Sequence, residues 1–456
     1  MVYASRKCVP VGTQPTSGRL TGLRTTIPMQ PASNPQSEKR MPDAPTGGSP
    51  RSNGSVHNSP RRWLLPPTLF RDPDAPESFE GVSILQEIPG DLGLALYQLY
   101  RDLLLWALVP DDSRPGLFRP GAPTGRDRLI DTAAPSPELR IHLETLASFL
   151  RSQAFDSAAA TDAALRISRW AAGRTAERTA IMFAQAASAV SPRLASAALE
   201  AGRVAADFGR VPVAETWLRR AIGLGRRARD WDSYAEALVV LSRLFCQSPS
   251  VGNPGRARGA ALAASRVARR HGLRMSGARA HHRLAILALA SGNPLKAEEH
   301  ARRAQGLYSR QHPEAPVMLH LVAECILAQR KPERTQEALE LLHKALPQRR
   351  TPRDKFLTLL VLLRAGAALG DKRVLESAWS DALTVIERLP EGEDAANYLF
   401  QLASEAAAAL EHTRASEAAR RALLIATQRA DPELVNKILA LIDRARLRVA
   451  ASRIID

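Results

Sequence analysis

The sequence predicts an all-α protein, built as a superhelical stack of antiparallel helix pairs behind a disordered N-terminal tail. Three observations lead to this fold class. Prolines are concentrated in the first 78 residues, apolar residues recur with helical spacing from Pro137 onward, and small residues repeat at intervals of about 40 residues. Long stretches of alternating apolar and polar residues are missing, so strands are not expected. The chain of 456 residues is 45% hydrophobic, which is enough for a sizeable core.

Residues 1–78 are predicted to form a disordered, low-complexity tail. They hold 13 of the 32 prolines, together with clusters of glycine, serine, asparagine and threonine. A segment of this composition cannot bury enough apolar surface to offset the entropy lost on ordering it. Met41 is an alternative start position. A targeting peptide is not expected, because no apolar core follows the early Arg6 and Lys7.

Residues 79–136 are predicted to form one helix, at about 91–109, followed by a Pro/Gly-rich linker. This helix is the most hydrophobic run of the chain and is long enough to span a bilayer. However, Arg101 and Asp102 lie at its middle, and each charge there costs roughly 2.5–3.5 kcal/mol in lipid. We therefore favour a buried core helix over a membrane-spanning or partner-binding helix. Pro110 is expected to end it.

Residues 137–452 are predicted to form an array of about six to seven helix pairs. Helix starts are expected where a side-chain acceptor precedes a proline, because proline has no N–H to leave unpaired in the first turn. Such sites are Ser191-Pro192, Asn293-Pro294 and Asp431-Pro432. Capping boxes are predicted to begin at Ser233 and Thr351. Gly292 and Gly370 are predicted C-terminal caps, where a left-handed residue is favoured.

The repeat emerges when copies are aligned on their small residues. One copy contains Ala201-Gly202, Ala205, Gly209, Ala214, Leu218 and Ala221, and similar offsets recur at Leu284-Ala285, Ala288, Gly292, Ala297, Ala301 and Ala304. Further copies surround residues 342, 379 and 419, and one copy with a longer loop at 249–255 lies between the first two. Two helices approach most closely where small side chains face each other, and each pair leaves an apolar face that only the next pair can cover.

This order of small and large residues resembles the tetratricopeptide repeat (TPR) family over roughly 192–430. The resemblance implies a right-handed superhelical stack whose first helices line a concave groove for a peptide or a partner's helix. The period of about 40 departs from the family's period of about 34, and the early tryptophan and late proline of its consensus are missing from nearly every copy. HEAT-like and other α-α repeats remain alternatives for the fold.

A search for catalytic and metal-binding patterns yields no enzyme signature. The three cysteines have neither disulfide nor zinc spacing, and no glycine-rich phosphate loop is present. His320 and Glu324 lie one helical turn apart, but no third metal ligand accompanies them. Cys246 and Cys325 are predicted to be small core residues. We therefore expect a non-catalytic cytoplasmic protein with no cofactor, metal or small-molecule substrate.

The net charge of +17 is concentrated in the tail and in residues 237–297. This second stretch contains nine arginines and Lys296, and it has no acidic residue. Acids from a neighbouring repeat could neutralise it, in which case it is only a solvated face. Alternatively, it recognises an anion, and arginine suits that role because its planar fork donates two N–H groups to one carboxylate or phosphate.

The predicted partner-binding residues are Arg266, Arg269, Arg270, Arg274, Arg279, His282 and Arg283. The TPR resemblance places Arg279 and His282 on the groove, with Ile286 and Leu289 beneath them. Proteins that bind nucleic acid usually add aromatic side chains for base stacking, and Phe245 is the one aromatic residue of the stretch. The leading hypothesis is therefore a protein-interaction scaffold that binds an acidic segment of a protein partner. The alternative is a regulatory protein that binds RNA or DNA phosphates through the same stretch.

Overall fold

Helices make up the structure, a computed structural model that describes residues 81–118, 128–132, 137–151, 156–247, 253–309, 311–389 and 394–455. No strand occurs among these residues. All of them belong to one unit, residues 64–456. The predicted tail, residues 1–78, lies outside the described residues, as do Cys8 and both candidate start positions.

The helices are α1 (Val82–Glu87), α2 (Gly90–Leu108), α3 (Pro137–Arg151), α4 (Ser157–Ala172), α5 (Glu177–Val190), α6 (Ala195–Asp207), α7 (Val211–Ala228), α8 (Trp231–Gln247), α9 (Pro254–His271), α10 (Arg274–Ala290), α11 (Pro294–Leu307), α12 (Ala315–Ala328), α13 (Thr335–Ala345), α14 (Pro352–Leu369), α15 (Lys372–Glu387), α16 (Ala395–Ala408), α17 (His412–Gln428) and α18 (Pro432–Ile455). Short helical turns lie at Asp111–Gly116, 128–132, Pro332–Arg334 and Leu346–Gln348.

From α4 onward the helices form consecutive pairs, and the pairs stack. The partners are α4/α5, α6/α7, α8/α9, α10/α11, α12/α13, α14/α15 and α16/α17, and α18 packs on the last pair. The first helix of each pair also contacts the first helix of the next. The first helices therefore form one layer of the stack, and the second helices form the other. This confirms the predicted TPR-like stack of antiparallel helix pairs.

The turn inside most pairs contains one residue with a left-handed backbone. Gly209, Gly292 and Gly370 have φ of 75°, 71° and 68° at three of these turns. Thr175, Arg330 and Leu410 occupy the corresponding turns of other pairs, with φ of 58°, 55° and 64°. The predicted caps at Gly292 and Gly370 are thus confirmed. The structure adds that the same turn forms where the sequence has no glycine, although a left-handed conformation is unfavourable for a residue with a Cβ atom.

The N-terminal helices cover the first pair. The predicted hydrophobic helix is α2, and its buried residues include Leu96, Leu99, Leu103 and Trp106, which confirms a core helix. No helix in the described part of the chain is both long and apolar enough to cross a bilayer. Glu87 at the end of α1 accepts hydrogen bonds from the backbone N–H groups of Arg178 and Thr179, both at 2.8 Å. This carboxylate therefore caps α5, which lacks an N-cap side chain of its own.

Three of the predicted helix starts are confirmed and two are wrong. The side chains of Asn293, Thr351 and Asp431 accept N-cap hydrogen bonds at 3.2, 3.0 and 3.0 Å. Ser191 instead closes α5 through its backbone N–H, and its hydroxyl accepts a hydrogen bond from Thr161, so α6 begins only at Ala195. The helix predicted to start at Ser233 is capped by Asp230, whose carboxylate accepts the Ser233 N–H at 3.1 Å.

An ion-pair network joins the pair α10/α11 to the pair α12/α13. Both terminal nitrogens of Arg334 donate to Glu298 at 2.8 Å, and Arg302 Nε donates to the same carboxylate at 2.8 Å. The amide of Gln329 adds a hydrogen bond at 2.6 Å. The Arg334 hydrogen bonds are the main cause that lowers the pKa of Glu298 to about 2, against the opposing effect of burial. Glu298 is 8% exposed, so its charge is compensated inside the protein.

Replacing a left-handed residue by glycine is expected to stabilise the stack. Leu410 is 69% exposed, so Leu410→Gly removes little buried apolar surface while it relieves an unfavourable backbone conformation. We expect the free energy of unfolding to rise by about 0.5–1 kcal/mol, measured by urea denaturation followed by circular dichroism. The reverse change, Gly370→Ala, has open space for its Cβ and should cost about 1 kcal/mol for backbone reasons alone. The account is contradicted if both changes shift the free energy of unfolding in the same direction.

Removing the Glu298 charge is expected to weaken the stack in a pH-dependent way. Because folding lowers the pKa of Glu298, its contribution is complete above about pH 4.5 and is lost as the pH falls toward 2. At neutral pH, Glu298→Gln should reduce the free energy of unfolding by about 2–3 kcal/mol. The matched control is Glu299→Gln, because Glu299 pairs with Arg303 at an exposed site and should contribute less than about 1 kcal/mol. An equal loss in both variants would exclude a special role for the network.

Candidate functional site

The first part of the predicted binding set lies on the surface at the end of α9. Arg266, Arg269 and Arg270 are exposed there, and no acid forms an ion pair with them among the described residues. Arg274 begins α10 and is also exposed, and its guanidinium approaches the Leu307 carbonyl at 3.5 Å. The structure thus brings these four arginines together at the junction of α9 and α10.

Arg279 is further along α10, in the layer of first helices, and it already has a partner. Its guanidinium pairs with Glu236 of α8 at 2.9 Å. The hydroxyl of Ser276 lies 2.9 Å from a carboxylate oxygen of Glu236 and 2.6 Å from one of Asp232, and its single proton is shared between these two acceptors. Burial opposes the charged form of Arg279, but Glu236 outweighs it and raises the pKa of the guanidinium. Arg279 is therefore part of a link between first helices and is separate from the arginines of α9.

His282 and Arg283, the other two members of the predicted set, are largely buried and do not belong to the exposed arginines at the end of α9. Their side chains are 5% and 6% exposed. Burial, together with the nearby Arg283, lowers the pKa of His282 to about 3, so this imidazole is neutral at physiological pH. The TPR resemblance placed Arg279 and His282 on the groove, with Arg283 adjacent. In the structure Arg279 contacts α8, and the side chain of His282 is buried.

Part of the acid-free stretch is neutralised by acids of the preceding pair. Arg243 pairs with Asp207 at 2.5 Å, and Arg256 pairs with Glu215 at 3.1 Å. Together with Arg279, these arginines match the neutralised-face interpretation. Arg258 and Lys296 are exposed and have no ion pair within the part of the chain that the structure describes.

Three further arginines, which the predicted binding set did not include, lie at the end of α7. Arg226, Arg227 and Arg229 are exposed there. They fall outside the acid-free window because Asp230, Asp232 and Glu236 follow them. A scan for clustered basic residues at successive helix ends would have found them.

Two contacts show that the ends of α7 and α9 lie side by side. Arg256 near the start of α9 pairs with Glu215 near the start of α7, so the two helices run in the same direction. At the other end, the ring of His271 stacks on Trp231 with centroids 4.5 Å apart. We define the basic surface by Arg226, Arg227, Arg229, Arg266, Arg269, Arg270 and Arg274. Cations in the last turn of a helix also complement the helix dipole, which gives Arg226, Arg227, Arg269 and Arg270 a structural reason to be there.

Other polar groups in the stack are occupied by neighbouring residues. His281 and His300 face each other with Nδ1 atoms 3.2 Å apart. Glu324 lies 3.9 Å from Arg364. Cys325 is buried, and burial raises the pKa of its thiol to about 12, which suits the predicted core role. No group of three or more potential metal-ligating side chains is close enough to hold an ion in the described ranges.

Comparison with solved structures gives helical-repeat proteins. PilF of Pseudomonas aeruginosa is 18% identical, with 52% of this chain and 96% of that chain covered and a TM-score of 0.40. A Rap protein complexed with Competence and Sporulation Factor is 11% identical over 76% of this chain and 99% of that chain, with a TM-score of 0.43. BtubC from P. vanneervenii is 17% identical over 53% and 96%, with a TM-score of 0.39.

At these identities and TM-scores the similarity concerns the fold alone and says nothing about a shared ligand. No protein-family model matches the chain, and no curated protein matches it in sequence.

Three histidines are expected to make the stack sensitive to mild acid. Burial is the main cause that lowers the pKa of His281 to about 4 and of His282 and His320 to about 3. An unfolded histidine titrates near 6.5, so stability is complete above that pH and falls as the pH approaches 4. Each histidine can add up to about 1.4 kcal/mol per pH unit to the slope of the free energy of unfolding against pH.

Urea denaturation between pH 7.5 and 4.5 measures this slope. We expect His282→Gln to have a shallower pH dependence than the wild type, whatever its effect on absolute stability. His343→Gln is the control, because His343 is exposed at the end of α13 and should leave the slope unchanged. Parallel pH profiles for all three proteins would show that His282 is not responsible.

Proposed function

We propose that the chain is a non-catalytic scaffold that binds an acidic segment of a protein partner through its basic surface. The observation that carries the proposal is the clustering of exposed arginines at the ends of α7 and α9. Arg266, Arg269 and Arg270 have no ion pair among the described residues, so their N–H groups are available to a carboxylate.

A protein partner is favoured over nucleic acid because the neighbouring aromatic side chain is already engaged. Trp231 lies between the two helix ends, and it stacks on His271 and meets Tyr234 edge-on at 5.9 Å. Phe245, the aromatic residue of the basic stretch, is covered by Arg256 at 4.1 Å. Bases are usually held on free aromatic faces. A flexible acidic peptide needs only the guanidinium groups.

Charge reversal of the basic surface is expected to abolish binding of an acidic peptide. We would measure fluorescence anisotropy of a labelled polyglutamate peptide with the wild type and with the triple variant R266E/R269E/R270E. Binding should fall at least tenfold in the variant and weaken with added salt, because exposed charges are screened. Arg279 is left intact, because its loss would leave the buried Glu236 without its partner.

The matched control reverses three arginines that pair with acids of their own helices, Arg166, Arg219 and Arg303. This variant has the same change in net charge and should retain most of the peptide binding. Duplex DNA and single-stranded RNA serve as competing probes. Tighter binding of either nucleic acid, with a log–log salt slope near −0.9 per phosphate contact on DNA, would favour the regulatory alternative. Equal loss of peptide binding in both triple variants would reject the basic surface as the site.

A further inference from the structure

A row of charged side chains crosses the layer of first helices. Its members are Arg203, Arg243, Arg283, Glu324, Arg364 and Glu405, one on each first helix from α6 to α16, and successive members are 40 or 41 residues apart. In the second half of the row the charges alternate and pair. Arg364 donates to Glu405 at 2.7 Å and lies 3.9 Å from Glu324.

The first half of the row contains three arginines in succession, and two of them have acidic partners. Arg203 pairs with Glu200 at 3.1 Å, and Arg243 pairs with Asp207 at 2.5 Å. Arg283 is different. Within the described residues no acid pairs with it, and its buried Nε has no hydrogen-bond acceptor. The adjacent His282 is neutral and offers it no counter-charge.

An unpaired arginine in this position is energetically unusual. Arg283 is 6% exposed, and burying a charge is costly unless a counter-charge or hydrogen bonds compensate it. Arginine cannot relieve the cost by losing its proton. By contrast, Arg349, the other deeply buried arginine of the described chain, donates to Thr358 at 3.0 Å and is attracted by Asp354 and Glu314.

We propose that Arg283 forms an anion-binding site in the layer of first helices, and that the ligand of this site is a single carboxylate from a bound partner. The members of the row on either side have side chains 19% and 32% exposed, at Arg243 and Glu324, so this face of the stack is accessible there. Within the described residues no hydrogen bond or ion pair occupies the guanidinium of Arg283, so its terminal N–H groups can donate charge-assisted hydrogen bonds to a carboxylate that reaches them from this face.

Charge arithmetic favours a carboxylate over a phosphate. A phosphate group carries about −1.5 to −2 at neutral pH and calls for two cations. Only Arg283 is free to supply one, because Arg243 is committed to Asp207 and Arg279 to Glu236. A carboxylate of charge −1 matches this single cation. The site thus deepens the proposed function by adding a second, buried contact for an acidic partner, separate from the basic surface.

Thermal unfolding of the full chain in sodium acetate tests the site. Ionic strength is held constant at about 0.5 M with sodium chloride, where the Debye length is about 4 Å and exposed charges are largely screened. A ligand that binds only the folded state raises the unfolding midpoint in proportion to ln(1 + [L]/Kd). Because acetate and phosphate also stabilise folded proteins non-specifically, each midpoint is compared with that of Arg283→Met in the same salt. We expect a saturable excess rise of the wild type over Arg283→Met in acetate, and a smaller excess in phosphate.

The variants separate this site from a structural role and from the basic surface. Arg283→Met removes an unpaired buried charge, so without acetate it should be at least as stable as the wild type. Arg283→Lys retains the charge and should keep part of the acetate response. R266E/R269E/R270E and the control Arg166→Met should keep the full acetate response. The peptide-binding test of the basic surface and the acetate test of Arg283 can therefore fail independently. The proposal is overturned if the wild type and Arg283→Met respond equally to acetate, or if the excess response of the wild type is larger in phosphate than in acetate.

Discussion

Close contact between small residues of paired helices is the constraint on which the rest of the stack depends. A Cβ atom added to Gly202 would lie 2.8 Å from Cγ of Leu218, and one added to Gly366 would lie 3.1 Å from the backbone nitrogen of Leu375. Each glycine lies on a first helix, and its neighbour lies on the second helix of the same pair. At this separation there is no room for larger side chains, so buried alanines fill much of the interface. The larger apolar residues are left to bind one pair to the next.

The same constraint explains why the fold could be predicted from the sequence. Small residues have to recur once per pair, so their spacing predicts the helix pairs directly. Local hydrogen bonding is less predictable. Ser191 has the features of an N-cap, but its hydroxyl is engaged by Thr161 and its N–H closes the preceding helix. The turns at Arg330 and Leu410 were missed for the opposite reason. There the packing of the two helices imposes a left-handed residue on positions that have no glycine to mark them.

The candidate site was only partly predictable from the sequence. Ion pairs form between neighbouring helix pairs, and the order of charges along the sequence does not show which of them meet. The acid-free stretch predicted exposed cations correctly at Arg266, Arg269 and Arg270. It could not show that Asp207 and Glu236 reach across to Arg243 and Arg279. Nor could helical periodicity tell that Arg283 is buried, because adjacent first helices cover part of the face that an isolated helix would expose.

Neutralisation between neighbouring pairs also gives the stack a way to present binding sites without altering its fold. A charge that is paired between neighbouring helix pairs, such as Glu298 with Arg334, stabilises the contact between those pairs and is unavailable to a ligand. A charge without such a partner costs stability if buried, as at Arg283, and contributes little if exposed, as at the end of α9. Both kinds can be gained or lost by single substitutions, because packing of the helices depends on alanine and glycine positions elsewhere. Both proposed sites therefore lie where the regular pairing of charges between neighbouring pairs is broken.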